Sequence, residues 1–135
     1  MLEPKKTKYH RQFRGNLKGK KVAGSRLAFG EYGLKSLGRG WISAAQLESA
    51  RKAMTHYTKR KAKIWIRAFP DKPVTKKGPG APMGAGKGEL DHWAAPVRPG
   101  RIIFELEGVD EETAREALRR ASHKLPVKVK VIRKK

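Results

Sequence analysis

Apolar residues recur with a helix or strand period in two stretches of the chain, residues 25–69 and 101–135, and these stretches predict the core. In the first, Ser43 stands three residues before Gln46, which is the spacing of a capping box and indicates the start of a helix. The helix is predicted over residues 43–60. Its core-facing stripe would be formed by Leu47, Ala50, Met54 and Tyr57.

Alternation of apolar and polar residues predicts strands around this helix. Residues 63–69 alternate in this way, and the stretch 25–37, which is interrupted by glycines, indicates short strand pieces with a bend. In the last third of the chain, residues 102–106 and 127–131 alternate on either side of a helix that begins at Asp110. The pattern therefore predicts an α+β fold in which two helices pack on a mixed β-sheet.

The two remaining stretches lack a clear period and are predicted to extend from the core. Residues 1–24 hold eight Lys and Arg, all within the first 21 positions, and are interpreted as a basic extended arm. Residues 70–100 hold 6 of the 14 Gly and 6 of the 8 Pro, so a long loop is predicted there, with a short return strand near residues 90–97 anchored by Trp93. We therefore expect a single domain over residues 1–135 that carries an arm and a projecting loop.

The charge of the chain indicates a polyanionic partner. Lys and Arg number 33 against 12 acids, and the net charge of +21 would repel itself in a compact protein unless a polyanion neutralised it. The chain has no Cys, which excludes disulfide frameworks and cysteine chemistry and favours an intracellular location. No apolar run approaches the ~18 residues of a membrane span, so no membrane partner is expected. A transit peptide for an organelle is the alternative interpretation of the basic start.

Two groups of residues are predicted to contact the anion, one in the arm and one around the first helix. The arm interleaves cations with rings that can stack on bases, and the outer face of the helix is cationic; solvated surface is the alternative for both. The predicted contacts in the arm are Lys5, Lys6, Lys8, Tyr9, His10, Arg11, Phe13, Arg14, Lys18, Lys20 and Lys21. Those on and around the helix are Arg39, Arg51, Lys52, Lys59, Arg60, Lys61 and Arg67, the last on the outward face of strand 63–69.

The Gly-rich run from Gly84 to Gly88 is a candidate phosphate loop, because glycine lets backbone N–H groups approach an anion. It fails as a P-loop, since Ala81 stands where the first glycine is required and Gly88 where a Ser or Thr would bind Mg²⁺. The four His are scattered without Cys or a carboxylate cluster, so no metal site and no cofactor are expected. We therefore predict that the chain is not an enzyme. A nucleoid-type DNA-binding protein and an enzyme that uses this loop on a phosphate substrate are the alternatives.

Several strings along the chain resemble one protein family. In chain order they are MLEPKKTKYHRQFRG, FGEYGLKSLGRGWISAAQLESARKAM, KIWIRAFPDKPVTKK, MGAGKGELDHWAAPVRPGRIIFELEGV and AREALRRASHKLPVKVKV. Together they are similar to the bacterial-type large-subunit ribosomal protein L sixteen family. PDKPVTKK and the Met-Gly-x-Gly-Lys-Gly block are the most specific of these motifs.

The resemblance implies a structural constituent of the large ribosomal subunit in the cytoplasm, with an organellar ribosome as the alternative location. Its implied partners are large-subunit rRNA, tRNA near the A site and neighbouring ribosomal proteins. It also implies that a loop over residues 71–90 points toward tRNA, with Lys76, Lys77, Gly84, Gly86, Lys87 and Gly88 facing it. The family's stretch before Met83 ends in Arg, whereas Pro82 stands there in this chain.

Overall fold

The computed structural model describes residues 26–76 and 89–134, and Glu3 by itself. Within these residues, two helices are interspersed among seven strands. The elements are β1 (Tyr32–Ser36), β2 (Gly40–Ser43), α1 (Ala44–Tyr57), β3 (Lys63–Ile66), β4 (Lys72–Lys76), β5 (Glu89–Val97), β6 (Ile102–Glu107), α2 (Glu111–Ser122) and β7 (Val129–Arg133). The α+β class predicted from the sequence is confirmed.

The strands form two sheets instead of the one predicted. A four-stranded sheet has the order β3-β6-β1-β7, and a three-stranded sheet has the order β2-β5-β4. Every pairing among the described strands is antiparallel, so the prediction of a mixed sheet is wrong. The reason lies in the β6-α2-β7 unit, whose two strands run parallel to each other as a strand-helix-strand connection requires. β1 lies between them and pairs with both in the antiparallel direction.

The core forms where the two helices meet the four-stranded sheet. Leu34 of β1 and Phe104 of β6 are fully buried, and the sheet residues around them pack in the same cluster. Helix α1 contributes its predicted stripe, of which Tyr57 is only partly buried, and α2 contributes Leu118 and three alanines. The small alanines of α2 let the helices approach closely, and burial of this cluster is the main stabilising term of the fold.

Helix α1 begins at the predicted capping box. The Ser43 N–H donates to Oε1 of Gln46 (2.9 Å), and the Gln46 N–H donates to Oγ of Ser43 (3.1 Å). The helix ends at Tyr57, three residues before the predicted end, because Thr58 closes it. The Thr58 N–H (3.0 Å) and hydroxyl (2.9 Å) both donate to the Met54 carbonyl.

The stretch expected to be mostly loop contains a second strand. The return strand is confirmed as β5, but it pairs with β4, which was not predicted because Pro73 stands inside it. The pairing shifts register between Val74 and Thr75, as at a β-bulge. Residues 77–88, between the two strands, lie outside the described part of the chain.

Candidate nucleic-acid interface

Helix α1 and the turn that follows it carry a concentrated positive charge. Over residues 44–61 there are five Lys and Arg and one acid, Glu48. Arg51 forms an ion pair with Glu48: its Nε donates to Oε2 at 3.2 Å, and its Nη2 donates to Oε1. This hydrogen bond lowers the pKa of Glu48 and raises the pKa of Arg51, so both groups stay charged and neutralise each other.

The remaining four cations have no acid opposite them among the described residues. We name them the α1 cationic surface, and its members are Lys52, Lys59, Arg60 and Lys61, all exposed. His56 is exposed in the last turn of the same helix. Positive charge without an internal partner, held on a rigid element, is the arrangement that binds phosphate groups of a nucleic acid.

The turn after α1 is a Schellman motif built without glycine. The Lys59 N–H donates to the His56 carbonyl (3.2 Å), and the Arg60 N–H donates to the Thr55 carbonyl (3.0 Å), the two bonds that define the motif. Lys59 has φ 53° and Arg60 has φ 64°, so both occupy the left-handed region. That conformation costs an L-residue about 1–2 kcal/mol. Such strain is concentrated at functional sites, and here it falls on two exposed cationic residues.

Helix α2, unlike α1, carries no net charge. Its three acids equal its three arginines in number, and two of the acids, Glu111 and Glu116, pair with the three arginines. Glu116 accepts from Arg119 at 2.7 Å and from Arg120 at 3.0 Å, and Arg115 lies 3.1 Å from Glu111. The bonds from Arg119 and Arg120 lower the pKa of Glu116 to about 2. The exposed face of α2 is therefore locally neutral, in contrast to α1.

A buried carboxylate organises the surface beside β3. The Glu105 side chain is fully buried, and its Oε1 accepts the backbone N–H groups of Ala28, Phe29 and Gly30, each at 2.9 Å. Its Oε2 forms an ion pair with Nη1 of Arg67. Burial raises the pKa of Glu105, but these four hydrogen-bonded groups outweigh it and hold the pKa below its usual value. Glu105 thus fixes the segment 28–30 against the sheet.

Two stacked aromatic rings lie between two cationic side chains on that surface. We name them the β3 row: Lys63, Trp65, Phe29 and Arg67. The Phe29 and Trp65 rings stack with centroids 5.9 Å apart and planes at 21°. The Arg67 guanidinium lies 5.3 Å from the Phe29 centroid, and Lys63 Nζ lies 5.1 Å from the Trp65 centroid. Phe29 is 55% exposed in spite of these contacts.

The structure brings together some of the predicted site residues and separates others. The α1 cationic surface unites four of them, whereas Arg51 and Arg67 each form an ion pair within the protein. Arg39 is exposed in the turn between β1 and β2, and Lys76 is the last residue of β4. The predicted arm contacts from Lys5 to Lys21, and Lys77, Gly84, Gly86, Lys87 and Gly88 of the loop, lie outside the described residues.

Phe29, Lys63 and Glu105 were missed as members of a surface site. The hydrogen-bond partners of Glu105 lie 38 and 75–77 residues away along the chain, so no local pattern indicates them. The sequence feature that could have indicated this surface is Phe29, which precedes Gly30, together with Trp65 and Arg67 on the same face of the strand predicted over residues 63–69. Among the described residues, no group of three or more His, Asp or Glu side chains is placed to hold a metal ion. Neither α1 nor α2 has the length and apolar character of a membrane span.

Comparison with known proteins assigns the family. Residues 4–132 match the model of the family described as ribosomal protein L16p/L10e. The chain belongs to the L16p/L10e family. A similar protein, the large ribosomal subunit protein uL16 of Heliobacterium modesticaldum (strain ATCC 51547 / Ice1), is 54% identical over 134 residues, which are 99% of this chain and 93% of the relative.

Membership in the L16p/L10e family confirms the resemblance drawn from the sequence strings and the location in a ribosome of bacterial type. It is a family of ribosomal proteins, not of enzymes. The α1 cationic surface and the β3 row both lie within the matched residues 4–132. The surfaces described above therefore belong to a component of a ribonucleoprotein particle.

Proposed function

We propose that the chain is a non-catalytic constituent of the large ribosomal subunit, which binds rRNA and helps to position tRNA near the A site. The observation that carries the rRNA part is the α1 cationic surface. Lys52, Arg60 and Lys61 are exposed cations with no acid opposite them in the described residues. Lys52 lies on α1 and the other two lie in the turn after it, and hydrogen bonds fix both the start and the end of this helix. A rigid array of this kind meets the RNA backbone at a defined angle with little loss of conformational entropy.

The contrast between the two helices supports this assignment. Both helices expose arginines or lysines, but the arginines of α2 are neutralised by glutamates of the same helix. Exposed pairs of that kind contribute little to stability and have little field to offer a polyanion. RNA is therefore expected to approach the side of the molecule that α1 presents.

The tRNA part has separate support. β4 ends at Lys76, which pairs with Glu89 at the start of β5, and the family resemblance implies that the segment between them in sequence faces tRNA. The arm over residues 1–24 adds charge to the rRNA contact, because it holds eight of the 33 cations. In this proposal the charged arm and the α1 cationic surface bind rRNA, whereas the loop between β4 and β5 contacts tRNA.

The experiment compares two triple variants that reduce the net charge equally. One carries Lys52→Gln, Arg60→Gln and Lys61→Gln, and the other neutralises three arginines of α2: Arg115→Gln, Arg119→Gln and Arg120→Gln. Binding of each full-length protein to a large-subunit rRNA transcript is measured over a range of salt concentrations. The α1 variant should bind more weakly, with a slope of log K against log salt that is smaller by about 2–3, or about 0.7–0.9 for each lost phosphate contact.

The α2 variant should keep the wild-type slope. Equal losses in the two variants would mean that only net charge matters and would contradict an interface on α1. For the tRNA part, replacement of residues 78–88 by a short Gly-Ser link should leave incorporation into large subunits nearly intact and slow A-site tRNA binding. Unchanged tRNA kinetics would contradict that part alone.

A further inference from the structure

We infer that the exposed ring of Phe29 is a stacking site for one unpaired base of RNA, and that Glu105 is the residue that positions it. The inference rests on the proposed RNA binding and adds a second, chemically different contact to it. The α1 cationic surface contacts phosphates and is indifferent to base pairing. A ring that stacks on a base requires that base to be out of its helix.

The geometry of the β3 row favours a flat ligand. Phe29 is 55% exposed although its ring stacks on Trp65 and the Arg67 guanidinium lies over the ring, 5.3 Å from its centroid. The two aromatic rings are stacked with their planes at 21°, and a nucleobase can continue this stack on the exposed part of the Phe29 ring. Phe69 is the other large exposed aromatic side chain among the described residues, and its ring has no stacked partner there.

The ring is held in place before any ligand binds. Glu105 accepts the N–H of Phe29 itself at 2.9 Å through one oxygen, and it holds the Arg67 guanidinium through the other. The same carboxylate therefore fixes the backbone beneath the ring and the cation beside it. Burying a carboxylate is unfavourable unless several groups compensate it, and here that arrangement immobilises a surface aromatic residue. Such preorganisation reduces the entropy lost on binding.

Charge selects a nucleotide over an apolar protein side chain. The row is bounded by Lys63 at one end and Arg67 at the other. A base is always accompanied by its phosphates, which exposed Lys63 can contact, whereas an apolar partner residue would leave this charge unused. The net charge of the whole chain, +21, favours the same class of ligand.

The test uses Phe29→Leu and the matched control Phe29→Tyr. Leucine keeps an apolar side chain without a π face, and tyrosine keeps the ring. Because Phe29 is more than half exposed, both full-length variants should fold, which thermal unfolding verifies. Affinity is measured for a large-subunit rRNA transcript, for a single-stranded oligoadenylate and for an RNA duplex of the same length.

Phe29→Leu should bind the transcript and the oligoadenylate roughly 5- to 150-fold more weakly, the range that corresponds to loss of one stacked base. Its affinity for the duplex should be unchanged, and Phe29→Tyr should resemble the wild type throughout. The slope against salt should be unaltered by Phe29→Leu, because no phosphate contact is lost, whereas Lys63→Gln should lower it by about 0.7–0.9. Ultraviolet crosslinking of the wild-type complex should attach a nucleotide to the peptide that contains Phe29.

Two results would overturn the inference. If Phe29→Leu binds the transcript as well as the wild type, the ring contacts no base, and if it weakens duplex and single strand equally, the ring acts on the fold or on the phosphate contacts. In either case the α1 triple variant still decides the proposed function separately. Loss of affinity and salt slope in that variant, with no effect of Phe29→Leu, would retain rRNA binding and remove the stacking site.

Discussion

Replacement of Lys59 by glycine is expected to make the protein more stable and to weaken its binding to RNA. Lys59 occupies the left-handed position of the Schellman turn at φ 53°, a position that glycine adopts without strain. Relief of the left-handed conformation returns about 1–2 kcal/mol. The greater freedom of glycine in the unfolded chain removes about 0.5–1 kcal/mol of that gain. The net stabilisation should be about 0.5–1 kcal/mol, or about 1–4 °C in Tm for a chain of this size.

Lys59→Ala is the matched control for the charge. It removes the same cation and leaves an L-residue in the same backbone conformation, so it should not raise Tm. Both variants should bind the large-subunit rRNA transcript more weakly than the wild type, and by the same factor, because each lacks one exposed cation of the α1 cationic surface. Thermal unfolding followed by circular dichroism and salt-dependent RNA binding measure the two properties on the same preparations.

The two measurements refute different parts of the reasoning. If Lys59→Gly and Lys59→Ala have the same Tm, the turn after α1 stores no strain at this residue. If Lys59→Gly gains stability and binds RNA as well as the wild type, the strain exists but the Lys59 side chain has no part in binding. Only higher stability together with weaker binding agrees with a turn whose strained backbone is retained for the position of its cations.

Two further predictions concern the stability of the fold. Glu105→Gln should lower the free energy of unfolding by about 3 kcal/mol at neutral pH, because it leaves Arg67 without its counterion. The pKa of Glu105 is lowered in the folded state, so its stabilisation is present above the ordinary value of 4.5 and is lost as the pH falls through the folded value. The difference in Tm between wild type and variant should therefore shrink on acidification, and a constant difference would contradict the role of the charge. Ser43→Ala should lose about 1 kcal/mol in urea unfolding, whereas Ser43→Asp, which keeps the N-cap acceptor, should lose much less.

Local signals in the sequence were sufficient for the helices and most strands. The capping box at Ser43 is a contact between residues three apart, and both of its hydrogen bonds form as predicted. The pairing of strands was not predictable in the same way, because β1 joins β6 and β7 over a large separation in sequence, and alternation does not record direction. The helix over 43–60 ended early because its last turn depends on Thr58, whose hydroxyl can cap a helix or remain in solvent.

The candidate site likewise contains residues that local sequence predicts and residues whose position depends on distant contacts. The excess of positive charge on and just after one helix predicted Lys52, Arg60 and Lys61, because it can be counted without knowing the contacts of distant residues. Arg67 was predicted to face outward and in fact pairs with Glu105 from another strand, 38 residues away. Phe29 owes its position to the same distant carboxylate. A sequence pattern shows which residues share a helix face, but it does not show which carboxylate a folded sheet brings to a loop.

Ser43 is at once the final residue of β2 and the N-cap of α1, and this shared residue has a mechanical consequence. β2 is paired with β5, with Ser43 opposite Ala94, and β5 is paired with β4. No linker stands between this sheet and the helix, so a load applied along the β4–β5 hairpin passes through β2 directly into the first turn of α1. A displacement of the paired strands β4 and β5 is therefore expected to reach the first turn of α1 through β2, because no flexible joint separates β2 from the helix.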